Sequence, residues 1–145
     1  MSRLMSVAFT EQAVVERRKT VTRRAGWWED KKGRRILKAG DRLTLCRKVM
    51  GRKKGEPLVR LAEVEVVSIR REPLSAVAGP YVLDETGGVA EWPEMTAEGF
   101  PDMHPIDFMR RYFTDAQGIA AMDDVTRIEW RYLDDDADLF GGDES

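Results

Sequence analysis

Lys19, Arg23 and Arg24 flank the run Thr20-Val21-Thr22, and a second basic group follows at Arg47, Lys48, Arg52, Lys53 and Lys54. If the end of the first helix and the tip of a hairpin are neighbours, the two groups form one basic rim. Lysine and arginine on such a rim hold phosphates by displacing counterions, without reading the bases. Trp27 and Trp28, just past the first group, add two flat faces. Stacking a base on an aromatic ring contributes about 1–3 kcal/mol and suits single strands or loops. The competing assignment buries one tryptophan in the core and lays the other over the sheet. The stacking assignment points to RNA or single-stranded nucleic acid as the partner.

Other chemistry is thinly supplied. One histidine, His104, and one cysteine, Cys46, cannot assemble any familiar Cys/His zinc site, and no metal or cofactor is expected. His104 precedes Pro105, the pairing of a helix cap with a first helical residue, and no nucleophile stands beside it in sequence. Cys46 reads as a strand residue. Arg47 and Lys48 beside it favour the thiolate, but a lone thiol forms no intramolecular disulfide.

The formal net charge of −2 hides a polarity along the chain. Residues 1–60 hold 18 basic and 6 acidic side chains, whereas residues 61–145 hold 6 basic and 20 acidic. Six of those acids crowd into the last 12 positions, 134–145. One reading is a basic face for a polyanion with an acidic, mobile tail that competes for it. The other is self-complementarity, with the two halves folding against each other and the remaining charge solvated.

A length of 145 residues makes one domain of ordinary size, here expected over 1–133 with the tail at 134–145. With 42% hydrophobic and 34% charged residues the composition is that of a soluble globular protein. No apolar run approaches the roughly 18–20 residues of a membrane helix. The start, MSRLMSVAFT, lacks the apolar stretch of about 7–15 residues of a secretory signal. A cytoplasmic monomer with no membrane partner is expected.

The elements that must position these side chains follow from local pattern. Leu4 to Phe9 reads as a short strand, and Thr10 as the cap of a helix running through Arg18. The β-branched residues of KTVTRR then favour extended chain. Residues 29–38 read as a basic loop before the turn Ala39-Gly40-Asp41. Arg42 to Val49 alternates with period two as a half-buried strand. GRKKGEP joins it to Leu58–Ile69, whose drifting apolar phase predicts a bend or bulge. Pro73 to Val77 reads as a turn or short helix, Gly79 to Pro93 as an inserted loop, and Thr96 as a cap for a turn leading to Gly99. A helix from Pro105 through Phe113 would bury Ile106, Phe108, Met109, Tyr112 and Phe113. In a last strand from Val125 to Leu133, Ile128, Trp130 and Tyr132 face inward and Arg127, Glu129 and Arg131 outward. An α+β domain on a curled, mostly antiparallel sheet is the economical architecture.

Four segments in this order resemble the ASCH family. They are Lys19-Thr20-Val21-Thr22-Arg23-Arg24, Lys38-Ala39-Gly40-Asp41-Arg42-Leu43, Glu98-Gly99-Phe100 before a helix with Phe108, and the terminal strand with Ile128 and Trp130. Together they span nearly the whole chain. The stretch CRKVMGRKKGEPLVR is also similar to small ASCH proteins of actinobacterial bacteriophages, which implies a phage or prophage origin. The resemblance implies a PUA-like fold, a small β-barrel flanked by helices, and RNA or nucleotide binding. One bacterial branch that is similar in KT-x-T hydrolyses the acetyl amide of N4-acetylcytidine with a Lys, a Thr and a Glu, and other members are associated with ribonuclease activity.

Carried over by this resemblance, the lysine is Lys19, the nucleophilic threonine Thr22 and the acid Glu98, with Glu91, Glu94 and Asp102 close enough in sequence to replace Glu98. A threonine hydroxyl attacks at neutral pH only if a base takes its proton, and a lysine serves only when partly neutral. Crowding by Arg17, Arg18, Arg23 and Arg24, together with burial, would lower its pKa. Positions 19 and 22 point to opposite faces of a regular strand, so the pair converges only at a helix-to-strand bend. The expected function is RNA or nucleotide binding through a basic cleft at KTVTRR, because the Trp27-Trp28 and KKGRR segment alters the region beside the motif. The alternatives are the amidohydrolase acting on a modified nucleoside, a ribonuclease, and a non-enzymatic phage protein that binds a host protein through its acidic half.

Overall fold

A computed structural model describes residues 2–133 of the chain; the acidic tail expected at 134–145 lies outside the described residues. Strands β1 (Arg3–Ser6), β2 (Val21–Arg24), β3 (Arg42–Cys46), β4 (Arg60–Pro73) and β7 (Asp124–Tyr132) form one curled sheet in the order β1-β3-β4-β7-β2. Only β1 and β3 run parallel; the other pairs are antiparallel. A parallel pair requires a crossover, and the chain makes it through helix α1 (Glu11–Val15) and β2 on the far edge. The two edges approach each other again, because Arg24 Nη2 of β2 donates to the Ser6 carbonyl of β1 at 2.7 Å. The sheet is thus half a barrel, laced at one end by an arginine.

The bulge foreseen in the long β-rich stretch falls at Val67: Val66 pairs with Trp130 and Ser68 with Glu129, which leaves Val67 without a partner in the ladder. It resets the phase, so Val64 and Val66 before it and Ile69 after it all pack on the concave core with Leu43, Leu45, Ile128 and Trp130. A second apolar cluster, Leu74, Val77, Met95, Phe108, Phe113 and Val125, lies under the helices. These are α2 (Pro93–Glu98), α3 (Pro105–Met109), a π-helical turn Arg110–Thr114, and α4 (Asp115–Gln117). His104 caps α3 as expected, its Nδ1 accepting from the Ile106 amide at 3.1 Å. The insert carries a two-stranded hairpin, β5 (Val82–Leu83) and β6 (Val89–Glu91).

Four local expectations are corrected. Arg127, read as outward, is buried, since helix α2 covers its face of β7. Ile106 is 58% exposed rather than in the core, because the capped first turn of α3 points it away. Thr96 does not cap α2: the helix begins at Pro93, whose fixed φ and missing N–H suit a first helical position. Helix α1 stops at Val15, three residues short of Arg18, where Arg17 turns left-handed at φ 63° and the Arg18 amide closes on the Ala13 carbonyl at 2.7 Å. Among the described residues no helix is long and apolar enough to cross a membrane.

Helix α2 ends in Gly99 at φ 95°, where a side chain would strain the backbone. A Cβ there would also meet Ala13 Cβ of α1 at 3.0 Å and Cγ2 of Thr10, just before that helix, at 3.2 Å. The close approach of α1 and α2 therefore requires glycine. Gly99→Ala is expected to lower stability by about 2 kcal/mol or more, read as a fall in the midpoint of chemical denaturation.

Candidate functional site

Lys19 sits in the bend between α1 and β2, held from every side. Its amide donates to the Ala13 carbonyl at 3.2 Å. Its carbonyl accepts from Trp130 Nε1 at 3.0 Å and from the Tyr132 hydroxyl. Its side chain is buried, and Nζ donates to Glu98 twice, to the carbonyl oxygen at 2.6 Å and to Oε1 at 3.2 Å. Since Lys19 precedes the first residue of β2, strand alternation does not separate it from Thr22, and both line one pocket. Burial is the largest cause that moves the Lys19 pKa, down from 10.5 to about 8; Glu98 opposes it, while Arg24 and Arg23 reinforce it. The arginine crowding expected from four residues comes from these two, and it is secondary to desolvation.

Of the four acids considered, Glu98 alone lines this pocket. Its second oxygen, Oε2, accepts from Arg23 Nη1 at 3.0 Å. Beside the edge strand β2, this one carboxylate reaches both Lys19, just before the strand, and Arg23 within it. Arg23 also pairs with Glu72 and Glu94, and its side chain is wholly buried. Glu94 in turn takes Arg127 at 2.8 Å. Glu91 accepts instead from the Thr96 hydroxyl at 2.8 Å, and Asp102 is exposed. Arg23, read from sequence as a phosphate contact, is thus turned inward and engaged by three carboxylates.

The pocket has a volume of about 330 Å³. Its polar end carries Lys19, Thr22, Arg23, Arg24 and Glu98, and its walls are Phe9, Trp27, Phe100, Phe108 and Tyr112. Phe100 stacks on Tyr112 with centroids 5.2 Å apart, and Phe9 tilts over Tyr112 at the same distance, with 79% of Phe9 exposed at the mouth. Thr22 Oγ1 accepts from Arg24 Nε at 3.3 Å and donates no hydrogen bond among the described residues. From sequence the aromatic helix belongs to the core, Phe9 to the end of a strand and Phe100 to a motif, and none of them to a site. Their spacing holds no signal of a pocket, which arises where the two apolar clusters meet.

The outer residues divide. Trp27, left-handed at φ 66°, enters the pocket wall, while Trp28 faces elsewhere and carries the Arg35 guanidinium 3.3 Å from its ring centre. Arg47 is held by both carboxylate oxygens of Glu11, and Lys48 lies 3.6 Å from Glu56. Arg52, Lys53 and Lys54 are exposed on the hairpin connection. Among the described residues no three His, Cys, Asp or Glu side chains converge as a metal site.

The architecture matches solved structures. A crystal structure of a protein from Enterococcus faecalis V583, assigned to the DUF984 family, aligns with a TM-score of 0.58 at 14% identity, covering 92% of this chain and 80% of that one. An ASCH domain from Lactobacillus crispatus JV V101 aligns with a TM-score of 0.52 at 11% identity, over 90% of this chain and 79% of that one. No protein-family model matches the sequence, and no curated protein does. At these identities the likeness is one of fold: the chain has the α+β, PUA-like fold of ASCH domains, as the resemblance of its motifs implied.

A folded-state pKa near 8 against 10.5 means that the unfolded chain binds more protons between those values. The stability contributed by Lys19 therefore rises with pH across that window and is lowest below it. By NMR, Lys19 Nζ should titrate near pH 8, and Glu98→Gln should move the midpoint lower still, because it removes the charge that favours the ammonium. A midpoint near 10.5 would contradict the buried placement.

Proposed function

We propose that this pocket receives a single base of RNA or of a nucleotide. The observation that carries the reading is the aromatic wall ending in Lys19, Thr22, Arg24 and Glu98. Its volume, at the lower end of the roughly 300–1,000 Å³ typical of small-molecule sites, suits one nucleoside. Flat apolar faces hold a base by its π-surface, and the polar end reads its edge by hydrogen bonds. Nucleic-acid binding is also the role implied by the ASCH resemblance. The exposed Arg52, Lys53 and Lys54 supply phosphate contacts outside the pocket.

A second reading, hydrolysis of an acetylated cytidine, is favoured by one specific observation: a lysine with a pKa near 8 shares the pocket with a threonine whose proton is free of other acceptors. At neutral pH roughly a tenth of such a lysine is unprotonated. Neutral Lys19 would take the Thr22 hydroxyl proton as its oxygen attacks the acetyl carbon. The proton then passes to the departing N4 amine, and water releases acetate from the threonine ester. Glu98 would orient Lys19.

Oligoribonucleotide binding followed by fluorescence anisotropy tests the first reading. Phe9→Ala should weaken it about tenfold, by loss of one stacking face. Replacing Arg52, Lys53 and Lys54 by Gln should reduce the slope of the salt dependence by about 0.7 for each phosphate no longer neutralised. Affinity indifferent to both would set the binding reading aside. Chromatography of N4-acetylcytidine with wild type, Thr22→Ala and Lys19→Ala tests the second: turnover abolished in both variants supports it, and no turnover by folded wild type removes it.

A further inference from the structure

The buried charges around the site do not balance. Glu72, Glu94 and Glu98 are each engaged by another cation: Arg23 touches all three, Lys19 shares Glu98, and Arg127 shares Glu94. Arg24 remains. It makes no ion pair among the described residues, and its hydrogen bonds go to two neutral oxygens, the Ser6 carbonyl at 2.7 Å and Thr22 Oγ1 at 3.3 Å. Its Nη1 makes no hydrogen bond among the described residues, and the side chain lines the pocket. Burial disfavours its charge, yet a guanidinium does not give up its proton at any ordinary pH. The charge of Glu98 offsets that burial only in part, and a cation left short of a contacting anion in a half-buried pocket is relieved by an anion that arrives with the ligand.

We propose that the pocket takes its ligand as an anion, a nucleotide whose phosphate is clamped by Arg24, in preference to the neutral nucleoside. The inference rests on the base-binding reading for the rest of the ligand. The guanidinium is fixed through Ser6 at the edge-to-edge closure of the barrel, so its free N–H groups are already oriented before the ligand enters. A planar fork of donors matches two phosphate oxygens at once. The aromatic walls, with Lys19, Thr22 and Glu98, are left to the base.

Isothermal titration calorimetry with cytidine, cytidine 5′-monophosphate and inorganic phosphate separates the two ideas. Wild type should bind the monophosphate at least tenfold more tightly than cytidine. Arg24→Gln should erase that preference, and Arg24→Lys should keep part of it. Equal affinity of wild type for cytidine and its monophosphate would overturn the anion clamp and leave base binding standing. Phosphate binding lost in Arg24→Gln, with no nucleoside bound, would keep the clamp and discard the base. Absence of binding by all three would discard both. Should Arg24→Gln fail to fold, the wild-type comparison and Arg24→Lys still decide the matter.

Discussion

The carboxylate of Glu98 is the constraint on which this site depends. Buried at an edge of the sheet, it joins two cations, Lys19 at Oε1 and Arg23 at Oε2. Removing one partner from a buried pair leaves a bare charge, which typically costs about 3–5 kcal/mol. Each member therefore makes the others necessary. The same helix end delivers a second fastening, since the Glu98 carbonyl accepts from Lys19 Nζ and the Ala97 carbonyl from the Thr20 amide. Helix α2 is only six residues long, and it holds its place through these hydrogen bonds and the glycine that lets it lie against α1.

Such a network stabilises less than the number of its ion pairs suggests, because every buried ion first gives up its hydration. What it confers is position. Arg23 has no freedom to leave its three carboxylates, and Lys19 is fixed at amide, carbonyl and ammonium. The polar end of the pocket is thus held in one arrangement before anything binds, which is what preorganisation requires. Desolvation of Lys19 is the by-product that gives it acid–base character near neutral pH.

The pocket lies between two apolar clusters of different origin. The concave sheet contributes Trp27, and the helices contribute Phe100, Phe108 and Tyr112. Rings that pack on one another as core also present faces to the cavity, so wall and core are the same residues. This economy suits a domain too small to carry a separate binding lobe.

Much of this was legible in the chain. Period-two alternation marked β3 and β7, the phase drift marked a bulge, the His104-Pro105 pair marked a helix start, and KTVTRR marked the bend that carries Lys19 and Thr22. These are local signals, set by side-chain branching, proline geometry and the strand repeat. Local pattern had no means of telling that Arg23 and Arg127 turn inward to carboxylates while Arg24 makes no ion pair among the described residues, since a strand covered on both faces has no solvent side to assign its charges to. Nor did it separate Glu98 from Glu94, four residues apart on one short helix. That choice was made by the packing of α2 against β2, which sets the last carboxylate of the helix beside both Lys19 and Arg23.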